Sequence, residues 1–243
     1  MSSIRVLLTA PLRQERMIFE CFQDSLDALE IPGGVQLDRF FVVNDCEKVK
    51  PLIRGAEYVT VNTGDLYIKT VNDHVWTAEN LNKMPELRNM TIQRALDGGY
   101  DYWWSVDTDL VLQPETLREL LSAGKDIVSE VFWTQAPSGR WWCNAWMFDQ
   151  ADADGHLDEW RVPGLYQVGM TGACTLVKTD VFRHNVSYSE IPNIRKVLWG
   201  EDRWFCIRAA CAGYEMWLDT HFPAEHLFTE AVYQKWRETH AGE

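Results

Sequence analysis

Asp107 and Asp109 directly follow residues 102–106, an apolar run of the kind that forms a buried strand. Side chains two residues apart on a strand point to the same side, and the carboxyl edge of an open α/β sheet is where ligands usually bind. Carboxylate oxygens suit Mg²⁺ or Mn²⁺, which typically leave their remaining positions to water and substrate phosphates. The sequence therefore predicts half of a metal–diphosphate site here, the alternative being a helix-capping aspartate or a solvated loop.

The same spacing of aspartates occurs a second time, at Asp152 and Asp154, followed by Gly155. Aspartates in polar stretches bond nearby backbone N–H groups, and Asp-Gly favours tight turns. We expect this copy to form the turn of a hairpin between residues 141–148 and 156–162 rather than a metal site.

Glu201 and Asp202 stand immediately before a helical pattern that runs to residue 212. A carboxylate at a helix N-terminus is kept ionised by free N–H groups and by the positive end of the helix dipole, so it can act as a general base. The alternative is that Asp202 only caps the helix. His221 and His226 follow the next strand, although a single histidine is usually not a ligand.

A parallel sheet would bring these residues to one edge. The first half of the chain has the alternating strand and helix pattern of such a sheet. Apolar runs at residues 4–9, 37–43, 58–61 and 102–106 alternate with helical patterns at 17–29 and 87–96. Near-continuous apolar runs are typical of strands covered by helices on both faces. The first half therefore predicts an α/β fold with a Rossmann-like, mainly parallel sheet.

The second half departs from this rhythm. We expect a helix from Pro114 to about residue 122, strands at 127–131, 172–178 and 215–219, and a helix at 203–212. No linker, repeat or low-complexity tract interrupts the chain. We therefore expect a single domain over residues 1–243, with a nucleotide-friendly half at 1–109 and a smaller, mixed half at 110–243.

Composition excludes several classes of protein. The 243 residues carry 23 Lys and Arg against 36 Asp and Glu, a net charge of −13, which argues against general nucleic-acid or anionic-lipid binding. No run approaches the roughly 18 apolar residues of a transmembrane segment, and the N-terminal apolar run is too short for a signal peptide, so we expect a cytoplasmic protein. The six cysteines form no Cys-x-x-Cys pair, and the motifs of dinucleotide oxidoreductases, P-loop proteins and serine hydrolases are missing.

Tryptophan is abundant, and 9 of the 12 tryptophans lie beyond Asp109. Flat aromatic faces in this half suit stacking on sugar rings or apolar groups of an acceptor. The alternative for any single tryptophan is core packing, since each ring buries a large area.

In their order along the chain, the aspartate pair, the Glu-Asp pair before a late helix and the late histidine resemble the GT-A fold glycosyltransferases, above all the inverting, family-two-like branch. The resemblance implies that Asp107 and Asp109 bind Mn²⁺ or Mg²⁺, which holds the diphosphate of a nucleotide sugar. It implies His226 as a further metal ligand, with His221 as the fallback. It also implies Asp202 as the base that deprotonates the acceptor, supported by Glu201.

The same resemblance implies contacts to the nucleotide and the acceptor. Thr9, Pro11 and Arg13 correspond to the loop after the first strand, which wraps the nucleotide in that family. Asp45, at the end of the second strand, corresponds to a residue that contacts the base or ribose, and Arg88, followed by Asn89, corresponds to an Arg-Asn pair before the metal motif. Asp107 adjoins the donor as well as the metal. Residues 169–174 resemble the small-residue segment that lines the acceptor pocket, the alternative being an ordinary turn.

The sequence thus predicts a metal-dependent glycosyltransferase that moves a sugar from a UDP- or GDP-type donor to a carbohydrate or other hydroxyl-bearing acceptor, with inversion. One alternative is a nucleotidyltransferase or sugar-nucleotide hydrolase on the same fold, although the first loop lacks the glycines of a nucleotidyltransferase. The other alternative is a tryptophan-rich carbohydrate-binding module without enzymatic activity.

Overall fold

A computed structural model describes residues 3–64, 68–69, 74–75, 78–135, 138–147, 156–194 and 200–240. Its strands are β1 (Ile4–Leu12), β2 (Val35–Asn44), β3 (Glu57–Val61), β4 (Ile68–Lys69), β5 (His74–Val75), β6 (Tyr102–Ser105), β7 (Leu110–Val111), β8 (Ile127–Gln135), β9 (Trp141–Cys143), β10 (Ala145–Trp146), β11 (Leu165–Val168), β12 (Met170–Thr171), β13 (Thr175–Lys178) and β14 (Met216–His226). Its α-helices are α1 (Arg16–Asp27), α2 (Ala78–Asp97), α3 (Thr116–Ser122), α4 (Glu201–Cys211) and α5 (Glu230–Thr239).

One large sheet contains strands from both halves of the chain. Within the described residues its order is β11-β14-β8-β13-β6-β1-β2-β3, with β7 paired to β14 and β9 paired to β8. The strands β3, β2, β1 and β6 are parallel to one another, and β14 is parallel to β8. Strand β13 is antiparallel to both neighbours, and β11 is antiparallel to β14. The expected α/β fold with a mainly parallel sheet and a mixed second part is therefore confirmed.

Alternate residues of the central strands enter two separate cores, one on each face of the sheet. On one face, Leu7 and Trp103 pack in the same buried cluster as residues of α2 and α4. On the other face, Leu8 and Trp104 pack with α1 and α3. Because both faces are covered, the central strands are apolar at nearly every position, which is the pattern the sequence shows.

Several strands are longer than their apolar runs. Strand β1 continues through Pro11 to Leu12, β8 continues to Gln135, and β14 continues to His226. Hydrophobic residues mark only the part of a strand that the helices cover, whereas backbone pairing extends into polar positions. Thr134 and His226, which lie beside each other in the site described below, stand on the extensions of β8 and β14.

The predicted hairpin between residues 141–148 and 156–162 is wrong. Strand β9 pairs with β8, and β10 pairs with β12. Glu159–Arg161 form a short 3-10 helix instead of the predicted strand, and this helix buries the Trp160 ring. The Asp152–Gly155 turn itself lies outside the described residues.

The predicted strand at 172–178 is shorter in the structure, because residues 172–174 lie outside any strand. The chain forms β12, then passes through Cys174 in a left-handed conformation, with φ of 62°, before β13 begins at Thr175.

After β14, helix α5 begins directly after Thr229, whose hydroxyl caps the helix by accepting a hydrogen bond from the Val232 N–H. Among the helices of the described part of the chain, none has both the length and the apolar character needed to cross a membrane.

Candidate active site

The carboxyl ends of β6 and β14 bring Asp109 and His226 together. After Asp109, strand β7 pairs with the end of β14, and the Leu227 N–H donates to the Asp109 carbonyl at 2.7 Å. This pairing places His226 Nε2 3.5 Å from Asp109 Oδ2, and each of these side chains is 15% exposed. Two residues that are 117 positions apart in the sequence thus share one partly buried site.

Thr134 and two aromatic rings hold the His226 imidazole in place. The Thr134 hydroxyl lies 2.8 Å from Nδ1, and the rings of Phe132 and Phe228 lie 4.7 Å and 5.0 Å from the imidazole centroid. When Nδ1 donates its proton to Thr134, Nε2 presents a lone pair towards Asp109. A metal-ligating histidine is usually oriented by a partner on its other nitrogen in this way. Asp109 and His226 therefore fit a divalent cation.

Asp107 does not join these two ligands in one compact cluster. Its Oδ1 accepts a hydrogen bond from Arg88 Nη2 at 3.1 Å, and its side chain is 38% exposed. Within the described residues, the only three ligand atoms that all lie within 4.8 Å of one another belong to Glu119, Asp219 and His221. His221, the fallback ligand, therefore lies in a different cluster from Asp109.

The Arg88 guanidinium is the buried centre of the site. Arg88 is only 3% exposed; its Nη1 donates to Ser105 Oγ at 2.7 Å, and its Nε lies 3.9 Å from Glu201 Oε1. Burial by itself disfavours the charged guanidinium, but the three surrounding carboxylates outweigh burial and raise the pKa of Arg88 above its usual value. Arg88 thus links helix α2, the end of β6 and the start of α4.

Glu201 and Asp202 occupy the first turn of α4, behind Gly200, whose φ of 136° favours glycine. Burial raises the pKa of Glu201. Burial and the neighbouring Glu201 charge raise the pKa of Asp202 to about 8, while Arg88 opposes the shift. Below pH 8 the free protein therefore holds a proton on this pair. The expectation that the helix N-terminus keeps Asp202 ionised is wrong for the free protein, because burial outweighs that effect; a cation nearby would favour release of the proton.

Gly172 gives the chain a close approach to Asp202. A Cβ atom at this position would lie 3.3 Å from Asp202 Oδ2 and 3.7 Å from the Trp146 ring. The adjacent Thr171 and Cys206 fix this approach, because the Thr171 N–H donates to the Cys206 sulfur and the thiol donates to the Thr171 carbonyl, both at 3.3 Å. The predicted small-residue segment thus adjoins the candidate base.

The tryptophans divide between core and surface. Trp160 and Trp204 are buried in the core, as the alternative interpretation predicts for them, whereas Trp141 and Trp142 are 41% and 46% exposed. Trp146 lies between these extremes, with the Arg203 guanidinium 5.2 Å from its ring centroid. Trp146 and Asp202 thus both lie beside Gly172.

The predicted nucleotide loop differs from the expectation. Thr9 lies inside β1, is completely buried and donates its hydroxyl to the Trp104 carbonyl at 3.5 Å. Pro11 also lies within β1, beyond the last residue that pairs with β6. Only Arg13 follows the strand, with its Nη1 3.8 Å from Asp45 Oδ2.

Asp45 ties the ends of β2 and β3 together. It adopts a left-handed φ of 46°, and its carboxylate accepts hydrogen bonds from the Thr63 N–H at 3.0 Å and the Thr63 hydroxyl at 2.5 Å. The Arg13 guanidinium also lies close to this carboxylate. Asp45 therefore shapes the strand ends around the expected nucleotide position.

Sequence reasoning missed Ser105, Thr134 and Thr63. Ser105 is the last residue of β6, and Thr63 follows β3. A polar residue at the end of an apolar run could therefore have identified both of them from the sequence. Thr134 lies in the extension of β8, and no local pattern marks it. Asn89 was noted only as the neighbour of Arg88, yet its side chain accepts from the Tyr188 N–H at 2.9 Å and donates to Ser189 Oγ at 3.1 Å.

No protein-family model and no curated protein matches the sequence. Solved structures do match in fold. A mannosyltransferase from Pyrobaculum calidifontis, PcManGT, in complex with GDP-Man and Mn²⁺, aligns over 98% of this chain with a TM-score of 0.58 and 12% identity. TarS residues 1–349 from S. aureus align over 91% of this chain with a TM-score of 0.52 and 12% identity, and the same protein with UDP-GlcNAc over 95%, at 0.53 and 11%.

These likenesses show that the chain has the GT-A fold that its motifs indicated. The chain spans about three fifths of the length of these structures, 61% of the mannosyltransferase and 60% of TarS.

Proposed function

We propose that this protein is a metal-dependent glycosyltransferase that moves a sugar from a nucleotide-diphosphate sugar to an acceptor hydroxyl. One observation carries the proposal. The Asp109–His226 pair lies at the same sheet edge as Asp107, which together with Glu201 surrounds the Arg88 guanidinium. The GT-A fold supports it, because structures with this fold hold GDP-Man with Mn²⁺ in one case and UDP-GlcNAc in another.

Asp109 and His226 would hold Mn²⁺ or Mg²⁺, and a bound cation would counter the negative charge that builds on the leaving diphosphate. Asp107, held in place by its hydrogen bond from Arg88, would contact the donor. Arg88 is too buried to reach a nucleotide, so its part is to position Asp107 and Glu201. We assign the donor as a UDP- or GDP-type sugar.

Asp202 acts as the general base. The acceptor hydroxyl attacks the sugar carbon opposite the leaving diphosphate, which inverts the configuration, and its proton moves to an Asp202 oxygen. A carboxyl with a raised pKa takes up that proton more readily than an ordinary aspartate, and general bases work best with a pKa near the working pH. Glu201 supports this role, because its charge contributes to the raised pKa.

The acceptor binds beside Asp202, against Gly172 and Trp146. Gly172 leaves room next to the carboxylate, and the Trp146 ring offers an aromatic face for a sugar or another hydroxyl-bearing group. An aromatic ring beside the base suits a sugar acceptor, which supports a transferase rather than a hydrolase.

A thermal-shift titration with UDP- and GDP-sugars, with and without Mn²⁺, tests the donor site. We expect at least one donor to stabilise the protein only when Mn²⁺ is present, and Asp109→Asn to abolish that shift. Asp180→Asn is the matched control, because the Asp180 side chain is 74% exposed and has no part in the proposed site. No metal-dependent shift with any donor, or an unchanged shift in Asp109→Asn, would remove the proposal.

Turnover of the same donor tests the base. Asp202→Asn should bind donor and Mn²⁺ normally and transfer sugar at least roughly 100-fold more slowly. Near-normal transfer by this variant would end the role of Asp202 as base.

A further inference from the structure

A second group of metal-ligating side chains lies apart from the candidate active site, on helix α3 and strand β14. His221 Nδ1 lies 3.1 Å from Asp219 Oδ1 and 3.7 Å from Glu119 Oε1. One ligand atom from each of the three residues lies within 4.8 Å of the other two. None of them contributes to the Asp109–His226 pair.

These separations suit a small cation. Zinc bonds to histidine nitrogen and carboxylate oxygen are about 2.0–2.2 Å long, so tetrahedral ligands are roughly 3.3–3.6 Å apart. The His221 contacts of 3.1 Å and 3.7 Å bracket that spacing. The side chains of His221 and Glu119 are 37% and 30% exposed, which gives an ion a path from solvent, whereas that of Asp219 is 2% exposed.

A completely buried carboxyl group, Glu130, faces the same cluster. Glu130 pairs in register with Asp219 across the parallel strands β8 and β14, so both side chains lie on the same face of the sheet. Its Oε1 accepts from the Val131 N–H at 3.2 Å, but its Oε2 has no hydrogen-bond partner among the described residues. A buried oxygen without a partner usually indicates an ordered water or ion.

Glu130 lies close enough to the cluster for its pKa to depend on the charges there. Burial, and then the charge of Asp219, raise the pKa of Glu130 to about 9, and Glu119 acts in the same sense. The Phe222 N–H, from the residue after His221, acts on this carboxyl in the opposite sense. Glu119 and Asp219 thus place two carboxylates beside the His221 imidazole, and a divalent cation would neutralise their negative charge.

A β-bulge creates this arrangement. Between Asp219 and Ala224, strand β14 advances five residues while β8 advances only two, from Glu130 to Phe132. Bulges redirect side chains, and here the extra residues turn His221 back onto Asp219, whose Oδ1 also accepts from the His221 N–H at 3.0 Å.

We propose that Glu119, Asp219 and His221 bind a divalent transition-metal ion, of which Zn²⁺ fits the ligand set best, with Glu130 facing a water in the fourth position. One imidazole and two carboxylates with an open position is a ligand set that zinc accepts. The ion would connect α3 to the bulge of β14, the strand that also carries His226. This site is independent of the proposed glycosyl transfer.

Zinc binding to the full chain, freed of metal with a chelator, tests the proposal. The background is Asp109→Asn, which removes the proposed donor-metal site, and a chromophoric chelator competes for Zn²⁺. We expect one equivalent to bind, and Co²⁺ in its place to give the visible absorption of a tetrahedral site. Adding Glu119→Gln or His221→Ala should weaken binding at least about tenfold, a loss typical of site-directed changes at metal ligands and their partners.

His156→Ala is the matched control, because this histidine also pairs with a carboxylate, Glu159, but lies outside the cluster. We expect it to bind Zn²⁺ as the Asp109→Asn background does. Absence of zinc binding in that background, or equal binding after Glu119→Gln, would overturn the proposal. Glu119 is partly exposed, so Glu119→Gln decides the matter even where His221→Ala fails to fold.

Discussion

Arg88 is expected to be the residue on which the stability of the active-site edge depends most. Arg88→Met keeps most of the buried stem but removes the guanidinium shared by Asp107, Glu201 and Asp202. Breaking a buried ion pair typically costs about 3–5 kcal/mol, since an uncompensated charge stays behind. We expect a loss of unfolding free energy within this range at pH 7.5, measured by urea denaturation.

The loss should shrink as the pH falls. Arg88 lowers the pKa of both Glu201 and Asp202, so without it these pKa values rise further and the folded variant binds more protons than the folded wild-type protein over the same pH range. A group with a raised folded pKa loses stability as pH rises towards that pKa, at about 1.4 kcal/mol per pH unit for each proton. Between pH 7.5 and 5.5, one such proton would recover at most about 2–3 kcal/mol.

Arg94→Met is the matched control, because Arg94 lies on the same helix and pairs with the exposed Glu57. A surface pair of this kind is worth about 0–1 kcal/mol. If Arg88→Met costs no more than Arg94→Met, or if its cost is the same at both pH values, the view of Arg88 as a buried counter-charge is wrong.

Three further predictions concern the chemistry of the site. Because burial and Glu201 raise the pKa of Asp202 to about 8, kcat/KM measured against pH should rise up to about pH 8 and then level off; a flat profile from pH 6 to 9 would contradict the assignment. Gly172→Ala places a methyl group about 3.3 Å from Asp202, so it should raise the acceptor KM or lower kcat while donor binding, measured by calorimetry, stays unchanged. Thr134→Val removes the partner of His226 Nδ1 and should weaken Mn²⁺ binding about 10–100-fold by titration calorimetry, whereas unchanged affinity would exclude His226 as a ligand oriented in this way.

Local sequence could predict the sheet because strands covered on both faces are apolar at nearly every position. The same reasoning marked Asp107 and Asp109, since the end of a buried run is visible in the sequence. It could not predict the ends of β8 and β14, where pairing continues through polar residues, and there it missed Thr134. The false hairpin at 141–162 has a similar cause, because the burial of Trp160 in a distant core outweighs the local turn signal.

The sequence by itself determined which groups are present and near which elements they stand: carboxylates after the strand at 102–106 and before the helix at 203–212, an arginine on the helix at 87–96, and histidines after the strand at 215–219. Only the tertiary structure decided their partners. It set His226 against Asp109 through the pairing of β7 with β14, and it turned His221 towards Glu119 and Asp219 through a bulge. The physical reason is that spacing along a strand or helix is fixed by local backbone geometry, whereas partners from distant segments depend on register and packing, which the whole chain sets together.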